Sequence, residues 1–71
     1  MERFEVGKKY RNVFGDSVLI VKRTEKTVVH QGFNKDGTER YRPTRTKLGH
    51  INNTEAIDVN SIAILRADIK A

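Results

Sequence analysis

Gly7, Gly15, Gly32, Gly37 and Gly49, together with the single Pro43, fall between short runs rich in β-branched and aromatic residues. That punctuation constrains the fold more than any other feature of the chain. Turn signals at this spacing favour an all-β sheet or small barrel over a helical bundle. No internal repeat, low-complexity tract or linker-like stretch interrupts the pattern.

Residues 17–24 make the clearest strand and 27–33 the next, with Glu25-Lys26 as a tight connection, so 17–33 reads as a β-hairpin. Glu-Lys suits a type I′ turn poorly, since both central residues would need φ > 0; a type I turn or a bulged loop fits better. If Thr24 faces Thr27, then Lys22 faces Val29, Ile20 faces Gln31 and Val18 faces Phe33. Both faces are then apolar at the Val18–Val21 end, which points to a curled sheet or a barrel. Asn34-Lys35-Asp36-Gly37 is the strongest turn, because Asp-Gly supplies the left-handed position a hairpin loop or its bulge requires. Residues 38–48 follow as a strand whose Pro43 cannot donate to a ladder, which places it at an edge or gives it a bulge. Residues 49–53 read as another turn and 54–59 as a strand. In 61–69 the apolar residues alternate as in a buried strand, although Asn60 or Ser61 also suits the cap of a short helix; the extended reading is favoured.

Small size makes the core the limiting resource. The chain has 71 residues, room for a single domain (1–71), and no cysteine. Domains of this size bury only about 60% of their unfolded surface. Val, Ile, Leu, Phe and Tyr must supply the core, with self-association as a further source of stability. The longest apolar run, Val18-Leu19-Ile20-Val21, is far short of the ~18 residues needed to span a bilayer. The first residues contain no apolar stretch of the kind that begins a secretory signal, so the expected location is cytoplasmic, and Asn52-Asn53-Thr54 reads as a turn rather than a glycosylation site.

Charge is distributed unevenly. Residues 1–47 carry twelve basic and six acidic side chains, whereas residues 48–71 carry two basic and three acidic ones. Such asymmetry is what a polyanion would feel. The densest segment is Arg40-Tyr41-Arg42-Pro43-Thr44-Arg45-Thr46-Lys47, with four positive charges and no acid. Arginine's planar fork suits phosphate or carboxylate, and the threonine hydroxyls can add neutral contacts. Lys8-Lys9-Tyr10-Arg11 and Lys22-Arg23 with Lys26 form two further clusters that a curled sheet can bring alongside the first. Stacking partners are few, so the composition suits contact with a phosphate backbone better than base reading. The same basic strand has two other readings. It can be a solvated edge protected by charge against aggregation, or an edge to which another chain adds.

Enzyme signatures are missing. Ser17 and Ser61 lie in no nucleophile-elbow context, and His30 and His50 have no neighbours at metal-ligand or triad spacing. His30 reads as a strand residue at the margin of the core and His50 as a turn residue. The expectation is a non-catalytic chain without a cofactor.

Phe4-Glu5-Val6-Gly7-Lys8-Lys9-Tyr10, Val21-Lys22-Arg23-Thr24-Glu25-Lys26-Thr27-Val28 and Ile64-Leu65-Arg66-Ala67-Asp68 together span much of the chain. They resemble a group of short bacterial and mobile-element proteins with an F-x-V-G-K-x-Y start, a K-R-T-x-K-T-V hairpin and an L-R-A-D ending. Ile57-Asp58-Val59-Asn60 stands where that group carries an aromatic-rich segment. The resemblance implies a bacterial or phage origin and the register given above for the 17–33 hairpin, and brings no mechanism with it.

The sequence therefore predicts an all-β domain of about five strands, either a small curled antiparallel sheet or an SH3-like barrel. Its expected partner is a polyanion, nucleic acid first. The binding residues would be Arg40, Arg42, Arg45 and Lys47, helped by Lys8, Lys9, Arg23 and Tyr41. The alternative is a protein-interaction module that engages a host factor, or a second copy of itself, through the edge strand. No membrane is implied.

Overall fold

The short β-branched runs become seven strands in the computed structural model, which describes residues 2–12, 14–58 and 64–71. They are β1 (Lys9–Asn12), β2 (Ser17–Arg23), β3 (Thr27–Phe33), β4 (Thr44–Lys47), β5 (Gly49–Ile51), β6 (Thr54–Asp58) and β7 (Ile64–Lys70). Among the described residues there is no helix, so the all-β class holds. All pairings are antiparallel, in the order β4-β3-β2-β1-β7-β6-β5. The strands at the two ends of that order, β4 and β5, are separated in the chain by Leu48 alone. They act as one strand bent at that residue, and the sheet curls into a nearly closed barrel. Leu48 donates its amide to the Lys26 carbonyl (2.8 Å) and packs its side chain against the core.

The strand count is seven rather than about five, and two local features account for the difference. Residues 38–48 do not form one strand: a single bridge pairs Phe33 with Glu39, and regular pairing resumes only after Pro43, at Thr44. Residues 49–53 are not wholly a turn either, since Gly49–Ile51 pairs with β6 and the reversal takes only two residues. Those are Asn52 and Asn53, with φ of 49° and 65°, the left-handed pair that a type I′ hairpin turn requires and Asn tolerates. Residues 64–70 are extended, as favoured; residues 59–63 lie outside the described residues.

The two other predicted turns form as their chemistry dictates. Thr24 donates its amide to the Thr27 carbonyl (2.9 Å), and its hydroxyl accepts from the Thr27 amide (3.1 Å), while Glu25 and Lys26 stay out of the left-handed region. At the next turn Gly37 has φ +90° and Asp36 Oδ1 accepts from the Thr38 amide and hydroxyl.

The hairpin register is as predicted near the turn, with Lys22 opposite Val29, and shifts by one residue beyond it. Ile20 faces His30 rather than Gln31, and Val18 faces Gly32 rather than Phe33. A β-bulge at Val21 causes the shift. Because paired residues share a face, the bulge puts Arg23 on the same inward face as Val18 and Ile20, although it is an odd number of positions away.

Arg23 meets Glu55 there. Glu55 lies two residues before Ile57 on β6 and points inward with it, its side chain only 3% exposed. The pair is bidentate, Nη1–Oε1 at 2.7 Å and Nη2–Oε2 at 2.9 Å. Glu55 Oε1 also accepts from the Phe4 amide (2.7 Å), and Arg23 Nη1 donates to the Phe4 carbonyl (2.6 Å). The ion pair thus clasps the N-terminal arm, which continues the sheet through a parallel bridge between Glu2 and Thr54. Phe4 is buried edge-on against Tyr10 (centroids 5.0 Å apart), and the Tyr10 hydroxyl accepts from the Glu5 amide. Tyr10, Phe4, Val18, Ile20, Val28, Ile57, Leu65 and Ala67 form the core.

The Arg23 hydrogen bonds hold the Glu55 carboxyl below the usual carboxylate range, against the opposing effect of burial. Its contribution to stability is therefore full above the unfolded-state value, about pH 4.3, and is lost as pH falls through the lower folded-state value. Glu55→Gln should cost about 3 kcal/mol, since it strands a largely buried guanidinium. Urea midpoints measured from pH 7 down to 3 should show that loss at neutral pH and a smaller decline below pH 4.3 in the variant. Gly37→Val should cost about 1–3 kcal/mol, because a β-branched residue is strained at that φ; an unshifted urea midpoint would contradict the assigned turn.

Candidate binding face

Register decides which basic side chains share a surface. Across β1, β2 and β3 the outward rows are Arg11–Ser17–Phe33 and Lys9–Leu19–Gln31. Beyond the bulge they are Lys22–Val29–Arg45 and Thr27–Lys47, which reach into β4. Lys9, Arg11, Lys22, Arg45 and Lys47 are all exposed, so five cations from three strands stand on one face. One carboxylate joins them: Glu39, bridged to Phe33 at a corner, where its Oε2 accepts from Gln31 Nε2 at 2.9 Å. In the turn beyond the last row, Glu25 and Lys26 balance each other.

The middle of the face carries three apolar side chains among the polar Ser17, Thr27 and Gln31. Leu19, Val29 and Phe33 are half-buried, with Lys9 and Arg11 on the β1 margin and Arg45 and Lys47 on the β4 margin. The Lys9 ammonium lies 5.4 Å from the Phe33 ring centroid. Arg45 Nη1 donates to the Thr27 hydroxyl (2.8 Å), which steadies one edge of a guanidinium that stays exposed.

Of the eight residues predicted from sequence, Lys9, Arg45 and Lys47 lie on this face. Arg42 is exposed on the approach to β4, where its carbonyl accepts from the Thr44 hydroxyl. The other four are engaged elsewhere. Arg23 is bound to Glu55, Arg40 pairs with Asp16 (3.0 Å), and Lys8 lies 3.5 Å from Glu5. Tyr41 folds inward. Its hydroxyl meets His30 Nδ1 at 2.7 Å, and its ring covers Gly32 so closely that a Cβ there would overlap it. Arg11 and Lys22 complete the face and were not among the eight. Alternation of Lys9 with Arg11 was the available signal for one, and the register of Lys22 against Val29 for the other.

His30 anchors β4 and the segment before it. It is fully buried rather than marginal, and its second nitrogen, Nε2, meets the Thr46 hydroxyl at 2.6 Å. Burial pushes the imidazole down and the Tyr41 phenol up to about 12, so at neutral pH both are uncharged. One ring nitrogen then donates to a hydroxyl while the other accepts from one. Thr46 turns inward to this histidine, which fixes its neighbours Arg45 and Lys47 outward by the period of two, while Thr44 at the exposed start of β4 bonds the Arg42 carbonyl instead. His50, read as a turn residue, is instead exposed on β5.

Among the described residues no group of three His, Asp or Glu side chains is placed to hold a metal. An open hollow of about 310 Å³ at the β4–β5 bend is lined mainly by Leu48, Ile51, Ala56, Ile57 and Ile64. It brings no set of convergent polar groups together. Family models, the curated proteins and the solved structures yield no significant match to this chain.

Gly32→Ala should displace Tyr41 and cost about 1–3 kcal/mol, the range for overpacking a tight site; urea titration checks it. Because the folded His30 pKa is lowered, its contribution is full above about pH 6.5 and declines as pH falls below that value.

Proposed function

We propose that this protein is a non-catalytic module that binds a polyanion, nucleic acid foremost, through the solvent face of β1–β4. The observation that carries the reading is the gathering of Lys9, Arg11, Lys22, Arg45 and Lys47 onto one face with a single carboxylate at its corner. The cations come from separate sequence clusters, and only the fold unites them. Five like charges so placed repel one another, and among the described residues none of them forms an ion pair, whereas Arg23, Arg40 and Arg66 each have a carboxylate. A polyphosphate backbone would neutralise them and release its counterions. Gln31 and Thr27, polar groups on the face, are already hydrogen-bonded to Glu39 and Arg45, so binding is backbone-directed and tolerant of sequence.

Docking of another protein strand along β4 has less support. The strand is four residues long, carries Arg45 and Lys47 outward, and follows Pro43. Short, charged, proline-flanked edges are the devices that discourage strand addition.

Fluorescence anisotropy with labelled oligonucleotides at several salt concentrations tests the reading. Five phosphate contacts predict a slope of log K against log salt of roughly −3.5 on single strands and −4.5 on duplex. Arg45→Ala combined with Lys47→Ala should flatten that slope by about 1.4–1.8 irrespective of sequence, whereas Lys35→Ala, off the face, should leave it unchanged. Absence of binding at about 50 mM salt would refute the proposal, since the electrostatic term is strongest there.

A further inference from the structure

Building on the polyanion reading, we infer that the face takes single-stranded nucleic acid and that Phe33 is the platform on which one base stacks. Width argues first against duplex groove entry. From β1 to β4 the face spans three strand spacings of ~4.8 Å, about 14 Å before side chains are added, against a major groove of ~12 Å. A duplex can touch this face only through its backbone, and that would leave the half-buried Leu19, Val29 and Phe33 uncovered. A single strand presents phosphates and bare base faces together. Its phosphates match the cationic margins, and its bases match the apolar middle.

Phe33 is the aromatic side chain on this middle strip. Its ring already accepts a cation, the Lys9 ammonium at 5.4 Å, so part of its π surface faces the exterior rather than the core. Base and ammonium compete for that surface. Stacking of a base moves Lys9 aside, within reach of the adjoining phosphate, so one contact is exchanged for two. Glu39, bridged to Phe33 on the side away from β1 and β2, repels phosphate and keeps the backbone toward Lys9 and Arg11. With a single ring on the outward rows of β1–β4, one nucleotide is stacked there and the others are held by charge, which gives little base preference.

The chain has no tryptophan, so Phe33→Trp places one reporter at the platform. Oligo-dT and oligo-rU of about 15 nucleotides, near the upper site size of small β-barrel binders, are titrated against it. Inorganic polyphosphate of equal charge serves as the probe without bases. Stacking predicts that at least one oligonucleotide quenches the emission and that polyphosphate does not; the pair of oligomers shows whether deoxyribose or ribose is accepted. Phe33→Leu, checked for its native circular dichroism, should weaken the quenching oligonucleotide about 5- to 100-fold with an unchanged salt slope and leave polyphosphate affinity intact. Equal emission changes with polyphosphate and oligonucleotide, or full oligonucleotide affinity in Phe33→Leu, would overturn the platform while leaving the charge-based reading standing. Failure of oligonucleotide and polyphosphate alike to bind the parent chain would overturn both.

Discussion

The bidentate contact between Arg23 and Glu55 joins parts of the chain that share no hydrogen-bonded ladder. Arg23 ends β2, Glu55 is the second residue of β6, and Phe4 between them belongs to the N-terminal arm. A barrel this small has little apolar area with which to seal its end, and here a charged pair does so. Such a pair is costly to desolvate and depends on complete hydrogen bonding. Both carboxylate oxygens receive a guanidinium N–H, one receives the Phe4 amide as well, and Arg3 approaches the other at 3.8 Å. The arrangement specifies position more than it adds stability: only one register of the arm satisfies the amide, the carbonyl and both ions.

That contact also explains what could and could not be read from sequence. The class, the hairpin and the Asp-Gly turn are local properties, decided by β-branched runs, by threonine hydroxyls at the turn and by a glycine with positive φ. The bulge at Val21 is not local. Nothing in Val18-Leu19-Ile20-Val21 marks a slip, and simple alternation carried the register one residue wrong from Ile20 onward. The slip becomes intelligible only when Glu55, more than thirty positions away, requires Arg23 to face inward. Asn52-Asn53 was legible as a reversal, but that it needs only two residues, and so frees Gly49–Ile51 to pair, follows from the pairing with β6.

For the binding face the lesson is similar. Density of charge along the chain pointed to residues 40–47, yet part of that segment is spent internally. Arg40 answers Asp16 and Tyr41 covers Gly32 and His30. Charge on a strand has to be counted every second residue, and only after the strand's inward face is known. Thr46, a hydroxyl that looked like an accessory contact for phosphate, faces inward. Its bond to His30 is what turns Arg45 and Lys47 out. A buried neutral histidine thus orders the surface above it.

The bend at Leu48 has a consequence for how such a chain can change over generations. With one residue between β4 and β5, there is no slack in which an insertion or deletion can be absorbed. Adding a residue there would force one flanking strand to slip, and a slip of one exchanges every inward side chain for its outward neighbour. On the β4 side, Arg45 and Lys47 would turn inward and Thr46 would turn out, away from His30. Length variation should therefore be tolerated in the exposed turn at Lys35-Asp36 and rejected at Leu48, so that a single position couples the integrity of the barrel to the sign of its surface.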